Sequence, residues 1–267
     1  MPAGTDPVVA PEENEPAAMG FFEHLAELRQ RLINCLIAIG LCLIVGLYFW
    51  EEIYAFIHAP MQAAFKAAGL EHEKLIFTGP LVPVKFALQV GLYSGIFLAA
   101  PVIFWQLWLF VAPGLYRHER RFVLPFVISS SGLFMLGAYF AHRVVLPLTL
   151  NFLLTFGQEL FQPLISVNEY FSLWLTMVLW MGVIFELPVL IFLLSWIGLV
   201  TPAFLWQYFR HALIVITVAA AAVTPTTDAF TMLVFAVPMV LLYIVGIGVS
   251  WVVQLRRARQ AAEGARA

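Results

Sequence analysis

Four carboxylates stand at positions where their charge could do chemistry, beside or within long apolar runs. Glu27 lies in HLAELRQRL, just before the first long apolar run, and Glu119 in FVAPGLYRHERR, just after the second. Glu27 has Arg29 and Arg31 beside it. Glu119 has Arg117, Arg120 and Arg121, with Phe110 and Tyr116 adding aromatic rings. Two carboxylates next to aromatic rings are suited to gripping two guanidinium groups by charge-assisted, bidentate hydrogen bonds. The competing reading is that each pairs with its own neighbouring arginines. Glu186 sits in WMGVIFELPVL, in the middle of an apolar run. An ionised carboxyl facing lipid there costs on the order of 3 kcal/mol, so it must face protein or a cavity, or hold a proton. Such a group marks a pathway or a partner contact, or is a neutral acid hydrogen-bonded inside a helix bundle. Pro188, two residues on, leaves a backbone carbonyl in the preceding turn without its donor. Asp228, in TPTTD, occupies the place of an N-cap or Asx-turn residue opening the last apolar run.

The elements that must hold these residues are membrane helices. Of the 267 residues, 62% are hydrophobic and 11% charged, against roughly half and a quarter in soluble domains, so lipid is the solvent. A spanning helix needs about 20 predominantly apolar residues. Runs of that kind extend over 32–50, 86–109, 122–141, 171–197 and 230–253, and a shorter one over 212–223 supplies span five. The sequence therefore predicts an all-α, polytopic protein with six transmembrane helices, the last two (spans five and six) being short. Pro101, Pro188 and Pro238 fall inside spans and predict a curved or kinked bundle. The short fifth span predicts local thinning of the bilayer.

Lysine and arginine set the orientation. With the N-terminus inside, Arg29, Arg31, Arg117, Arg120, Arg121, Arg210, Arg256, Arg257, Arg259 and Arg266 are cytoplasmic, and Lys66, Lys74, Lys85 and Arg143 lie opposite. That asymmetry predicts both termini in the cytoplasm, with external loops at 51–84 and 143–169. Residues 1–20, acidic and Pro-rich, read as a disordered cytoplasmic tail. Residues 21–253 form the six-span domain, and 254–267 a basic cytoplasmic tail.

Other chemistry is thinly represented. The positive residues form no continuous basic face, which argues against nucleic acid. Cys35 and Cys42 would lie roughly 10 Å apart on one helix, beyond disulfide reach. His24, His58, His72 and His118 lack metal-ligand spacing and read as solvated interfacial groups. No GxSxG, HExxH or phosphate-binding loop occurs, and Ser129, Ser130 and Ser131 in span three read as helix-packing residues. The residues thus call for no enzyme and no cofactor.

The motifs together resemble those of the TatC family of the twin-arginine (Tat) translocase, from about Phe21 to Trp251. The matching stretches are HLAELRQRL, LAAPVIFWQLWLFVAPGLYRHERR, FELPV, the TP…D turn and AVPMVLLY. The resemblance implies a multi-pass receptor in a bacterial cytoplasmic (inner) membrane. It would bind twin-arginine signal peptides of folded precursors and work with TatB-like and TatA-like single-span subunits, with self-association, using the proton-motive force. It assigns Glu27, Glu119, Phe110 and Tyr116 to signal-peptide binding, and Glu186, Asp228 and Pro60 to partner contact and transport. The chain differs from the usual pattern in carrying TPTTD for TPPD and Ile244 where members often have an acid. The alternative reading from the residues is a proton-coupled secondary transporter of a small solute, using Glu186.

Overall fold

Glycine decides how the first two long helices meet. In the computed structural model, which describes residues 21–70, 74–111, 123–156, 164–224, 226 and 228–264, α1 (Phe21–Tyr48) lies antiparallel along α3 (Val82–Val111). A Cβ on Gly95 would lie 2.8 Å from the Leu43 backbone nitrogen, and one on Gly46 would lie 2.7 Å from the Gly91 carbonyl. The two backbones approach so closely because small residues line the seam, the usual means of joining helices in lipid. Elsewhere α1 is bare: only 6% of its apolar window is buried in the protein.

Between these two helices, within the expected external loop 51–84, the chain forms a helix, α2 (Trp50–Ala67). Its buried residues are Ile57, Pro60, Met61, Ala64 and Phe65, a stripe at helical spacing that was present in the sequence. Gly69, at φ +74°, ends it: the Leu70 N–H reaches back to the Phe65 carbonyl in a Schellman closure.

Span three also runs further than its apolar core suggests. Helix α4 (Val123–Phe140) passes through a π-helical segment (Ala141–Val145) into α5 (Leu146–Thr155), so helix replaces about the first half of the expected loop 143–169. The continuation buries Leu146, Thr149, Leu150 and Leu154 against the α2 side of the molecule. Span four starts earlier than expected, at α6 (Val167–Ile184), because Ser166 and Glu169 form a capping box. A backbone bridge from Ile76 to Ser166 joins the two connections at this end.

The fourth span breaks at Phe185 and Glu186 and resumes as α7 (Leu187–Trp196). Pro188 has no N–H for the Ile184 carbonyl, which accounts for the break; Pro101 and Pro238 lie within single assigned helices. Then follow α8 (Pro202–Gln207), capped by Thr201, the short α9 (Phe209–Val223) and α10 (Ala229–Gly264). Span six is therefore not short. Helix α10 has 36 residues, because QLRRARQAAE is made of good helix formers and nothing stops the helix at Val253. The basic segment continues the helix as far as Gly264.

The bundle has two cores. The larger joins α2, α5, α6 and α10 around Met61, Leu146, Met177, Met181 and Phe235, toward the end that carries α2. The smaller, Trp108, Val127 and Val189, lies toward the end where α1 begins. Among the described residues, five helical segments are long and apolar enough to cross a membrane, and α9 is a shorter apolar helix.

Candidate functional site

Glu27 and Phe110 come together at the end where α1 begins, through the antiparallel α1–α3 pair. Glu27 stands one turn before Arg31 and accepts a hydrogen bond from its Nη2 at 3.0 Å, the i,i+4 geometry that a helix supplies. Arg31 Nη1 also donates to Gln106 Oε1 on α3, at 3.3 Å. The neighbour-pairing anticipated from sequence is therefore realised at Glu27, but only through Oε1. Oε2 is buried and has no hydrogen-bond partner among the described residues, as is also true of Arg31 Nε. Beside them His24 stacks on Phe110, with centroids 4.3 Å apart and planes at 18°. His24 was expected to be merely solvated; its partner is 86 positions away and could not be read from local sequence. Tyr116 and Glu119 lie outside the described residues.

Glu186 sits in the helix break, as the N-cap residue of α7. Its carboxyl faces the Ser130 hydroxyl of α4, so the side chain turns into the bundle. Ser130 is itself buried and accepts from Trp108 Nε1 at 3.3 Å. A polar thread thus runs from α3 through α4 to the break, and Ser130 serves it instead of packing alone. Glu186 Oε1 is left buried and without a partner. No lysine or arginine of the described residues pairs with it, so the site can accept a donor from outside. Next to the break, an apolar groove of about 510 Å³ opens between α4 and α10. Phe185, Pro188 and Val189 form one side, and Leu133, Leu242 and Val245 the others.

Asp228 takes the capping role that its sequence position suggested: Oδ1 accepts from the Thr231 N–H at 2.6 Å. Burial pushes the carboxyl up, but hydrogen bonds from Thr231 and Thr226 outweigh it and hold Asp228 below the usual aspartate value. Pro60 is buried in the packed stripe of α2. Asp228 and Pro60 therefore belong to the far end, away from Glu27 and Phe110. The described residues hold no cluster of three or more potential metal ligands.

The arrangement can be compared with known proteins. The family model described as Sec-independent protein translocase protein (TatC) matches residues 23–238. The Sec-independent protein translocase protein TatC of Koribacter versatilis is 40% identical over 273 residues, covering 99% of this chain and 100% of that protein. The protein of the same description from Escherichia coli K12 is 36% identical, over 84% of this chain and 85% of its own length. A crystal structure of the twin arginine translocase receptor TatC superposes with a TM-score of 0.75 at 35% identity, covering 86% of this chain and 99% of the other. With length, order of motifs and fold all in agreement, the chain belongs to the TatC family, a membrane component of the Sec-independent protein translocase and not an enzyme.

Proposed function

We propose that this chain is the signal-peptide receptor of a twin-arginine translocase in a bacterial cytoplasmic membrane. In this reading it has six spans, with both termini and the Glu27 end in the cytoplasm. The observation that carries the proposal is Glu27 Oε2: a carboxylate oxygen without a partner, beside a ring pair, at the face where arginine is concentrated. A guanidinium of an incoming peptide would satisfy it by a charge-assisted bond of roughly 1.5 to 3 kcal/mol. Glu119, with Phe110 and Tyr116, would take the second guanidinium. The fork geometry of arginine is what distinguishes it from lysine.

The second step is recruitment. A TatB-like or TatA-like single span would lie in the groove beside the helix break and offer a polar group to Glu186 Oε1, while Asp228 and Pro60 shape the opposite end. Helix α9, with 15 residues, is about 22 Å long against a hydrocarbon thickness of about 30 Å. It would thin the bilayer where partners assemble, and transport would then draw on the proton-motive force.

The test is binding of a twin-arginine signal peptide to the solubilised protein, using RR and KK peptides with wild type, Glu27→Ala and Glu119→Ala. The expected result is RR binding that falls at least about tenfold, or 1.4 kcal/mol, in each variant and for the KK peptide. Equal binding of RR and KK by wild type would overturn the proposal.

A further inference from the structure

The π-helical segment places two adjacent residues with opposite surroundings near an apolar cleft that lies away from Glu27 and Phe110. His142 is buried and lines an apolar cleft of about 450 Å³ between α2, α3, α4 and α6; Arg143 is exposed, outside the lining, and meets the cleft only through Tyr139. Phe56, Phe97, Tyr139 and Trp174 are among its walls. Three residues of its rim, Phe56, Leu98 and Tyr139, are exposed, so the cleft opens to the surroundings of the bundle, which here are lipid. Volume and lining match those of sites for apolar ligands.

The polar groups are few and graded with depth. Arg143 projects its guanidinium over the Tyr139 ring, 5.8 Å from the centroid, and makes no ion pair among the described residues. It lies 20 residues beyond the start of α4, about 30 Å along the axis. That is the thickness of a hydrocarbon core, which puts the charge at headgroup level. Inside the mouth, His142 Nδ1 accepts from Trp174 Nε1 at 3.1 Å. Indole only donates, so the imidazole proton is on Nε2. That N–H makes no hydrogen bond among the described residues, and the ring lies flat on Phe56, with centroids 4.1 Å apart. Behind it the walls are apolar.

We propose that this cleft holds one phospholipid of the leaflet opposite the signal-peptide face, its phosphate on Arg143 and one acyl chain between α2, α3 and α4. A cation beside the rim, one donor suited to an ester carbonyl and an apolar interior follow the order of groups along a phospholipid. Arginine binds phosphate as a planar fork. An arginine-bearing peptide segment fits less well, because it brings like charge to Arg143 and no anion.

The test is native mass spectrometry of the full-length protein in detergent with added phosphatidylglycerol, comparing wild type, Arg143→Gln and Leu98→Trp. Both substitutions are at exposed positions; the first removes the charge and the second crowds the rim. One saturable lipid per wild-type chain is expected, with apparent affinity at least tenfold weaker in both variants and no competition from inorganic phosphate. In parallel, phosphatidylglycerol brominated on its acyl chains should quench wild-type tryptophan fluorescence more than that of Trp174→Phe. This second measurement needs no rim variant. Equal lipid retention by all three proteins would mean only annular lipid and overturn the proposal. Equal retention of diacylglycerol would remove the role of the phosphate. Displacement of the lipid by a signal peptide would assign the cleft to the peptide instead, and quenching that ignores Trp174 would place the acyl chain elsewhere.

Discussion

Helix α1 and the α6–α7 span are of similar apolar character, yet 6% of the first one's apolar window is buried and 44% of the other's. The first leans on α3 alone for most of its contacts, along a glycine seam. The second touches α4, α10 and the π segment. The difference separates two tasks. The α6–α7 span is the post around which the bundle is built, and it can hold an unsatisfied carboxyl at Glu186 because its neighbours fix the break. Helix α1 carries Glu27 on an almost free-standing rod, its side chain 18% exposed and one carboxylate oxygen buried without a partner among the described residues.

The comparison breaks most completely at the glycine seam. Gly95→Leu drives a side chain into the α3-facing backbone of α1 at Leu43 and Cys42, which relaxation of side chains alone cannot relieve. A loss of about 3 kcal/mol or more is expected, seen as a large fall in the unfolding midpoint in detergent. Gly40→Leu, on α1 with nothing within 4 Å of its Cβ, should stay within about 0.5 kcal/mol. If the two cost the same, α1 is not held by close approach.

At the densely packed end, single polar ties matter. Tyr170 on α6 donates to the Ile57 carbonyl of α2 at 2.5 Å in a buried setting. Tyr170→Phe should cost about 1 kcal/mol, measured by the same unfolding. Asp228→Ala should cost about 1 kcal/mol through the lost cap of α10. Because the folded carboxyl sits below its ordinary value, its electrostatic share is present above about pH 4, the unfolded value, and lost as pH falls through the lower folded one. The gap between wild type and Asp228→Asn should therefore close on acidification; a constant gap would mean that Asp228 acts only through its shape.

Much of this was legible in the sequence where a single local signal sufficed. Pro188 foretold the break beside Glu186, TPTTD the cap at Asp228, and the run 212–223 a short helix that became α9. Helix α2 was missed because its residues were judged by total apolarity, whereas the signal was the spacing of Ile57, Met61, Ala64 and Phe65. The length of α10 is hidden for a different reason: the polarity of QLRRARQAAE ends the apolar run but not the helix, and marks only a change of solvent along a continuing one. What no local signal carries is contact between distant segments. His24 with Phe110, Arg31 with Gln106, and Trp108 with Ser130 each join separate helices, and only the assembled bundle sets those pairs.

The smallest expected change in stability is the one that most sharpens the contrast between the two regions. Arg31→Gln removes an ion pair whose side chains are 28% and 18% exposed, and solvent screening limits such i,i+4 pairs to about 0.5 kcal/mol. Its effect on binding should have the opposite sign. With Arg31 gone, Glu27 Oε1 joins Oε2 in being free, and a twin-arginine peptide should bind a few-fold tighter, by about 0.5 kcal/mol. If Arg31→Gln instead weakens the peptide as much as Glu27→Ala does, Arg31 is an organiser that holds Glu27 in place. Titration of both variants with one RR peptide, beside their unfolding curves, decides between a competing cation and a supporting one.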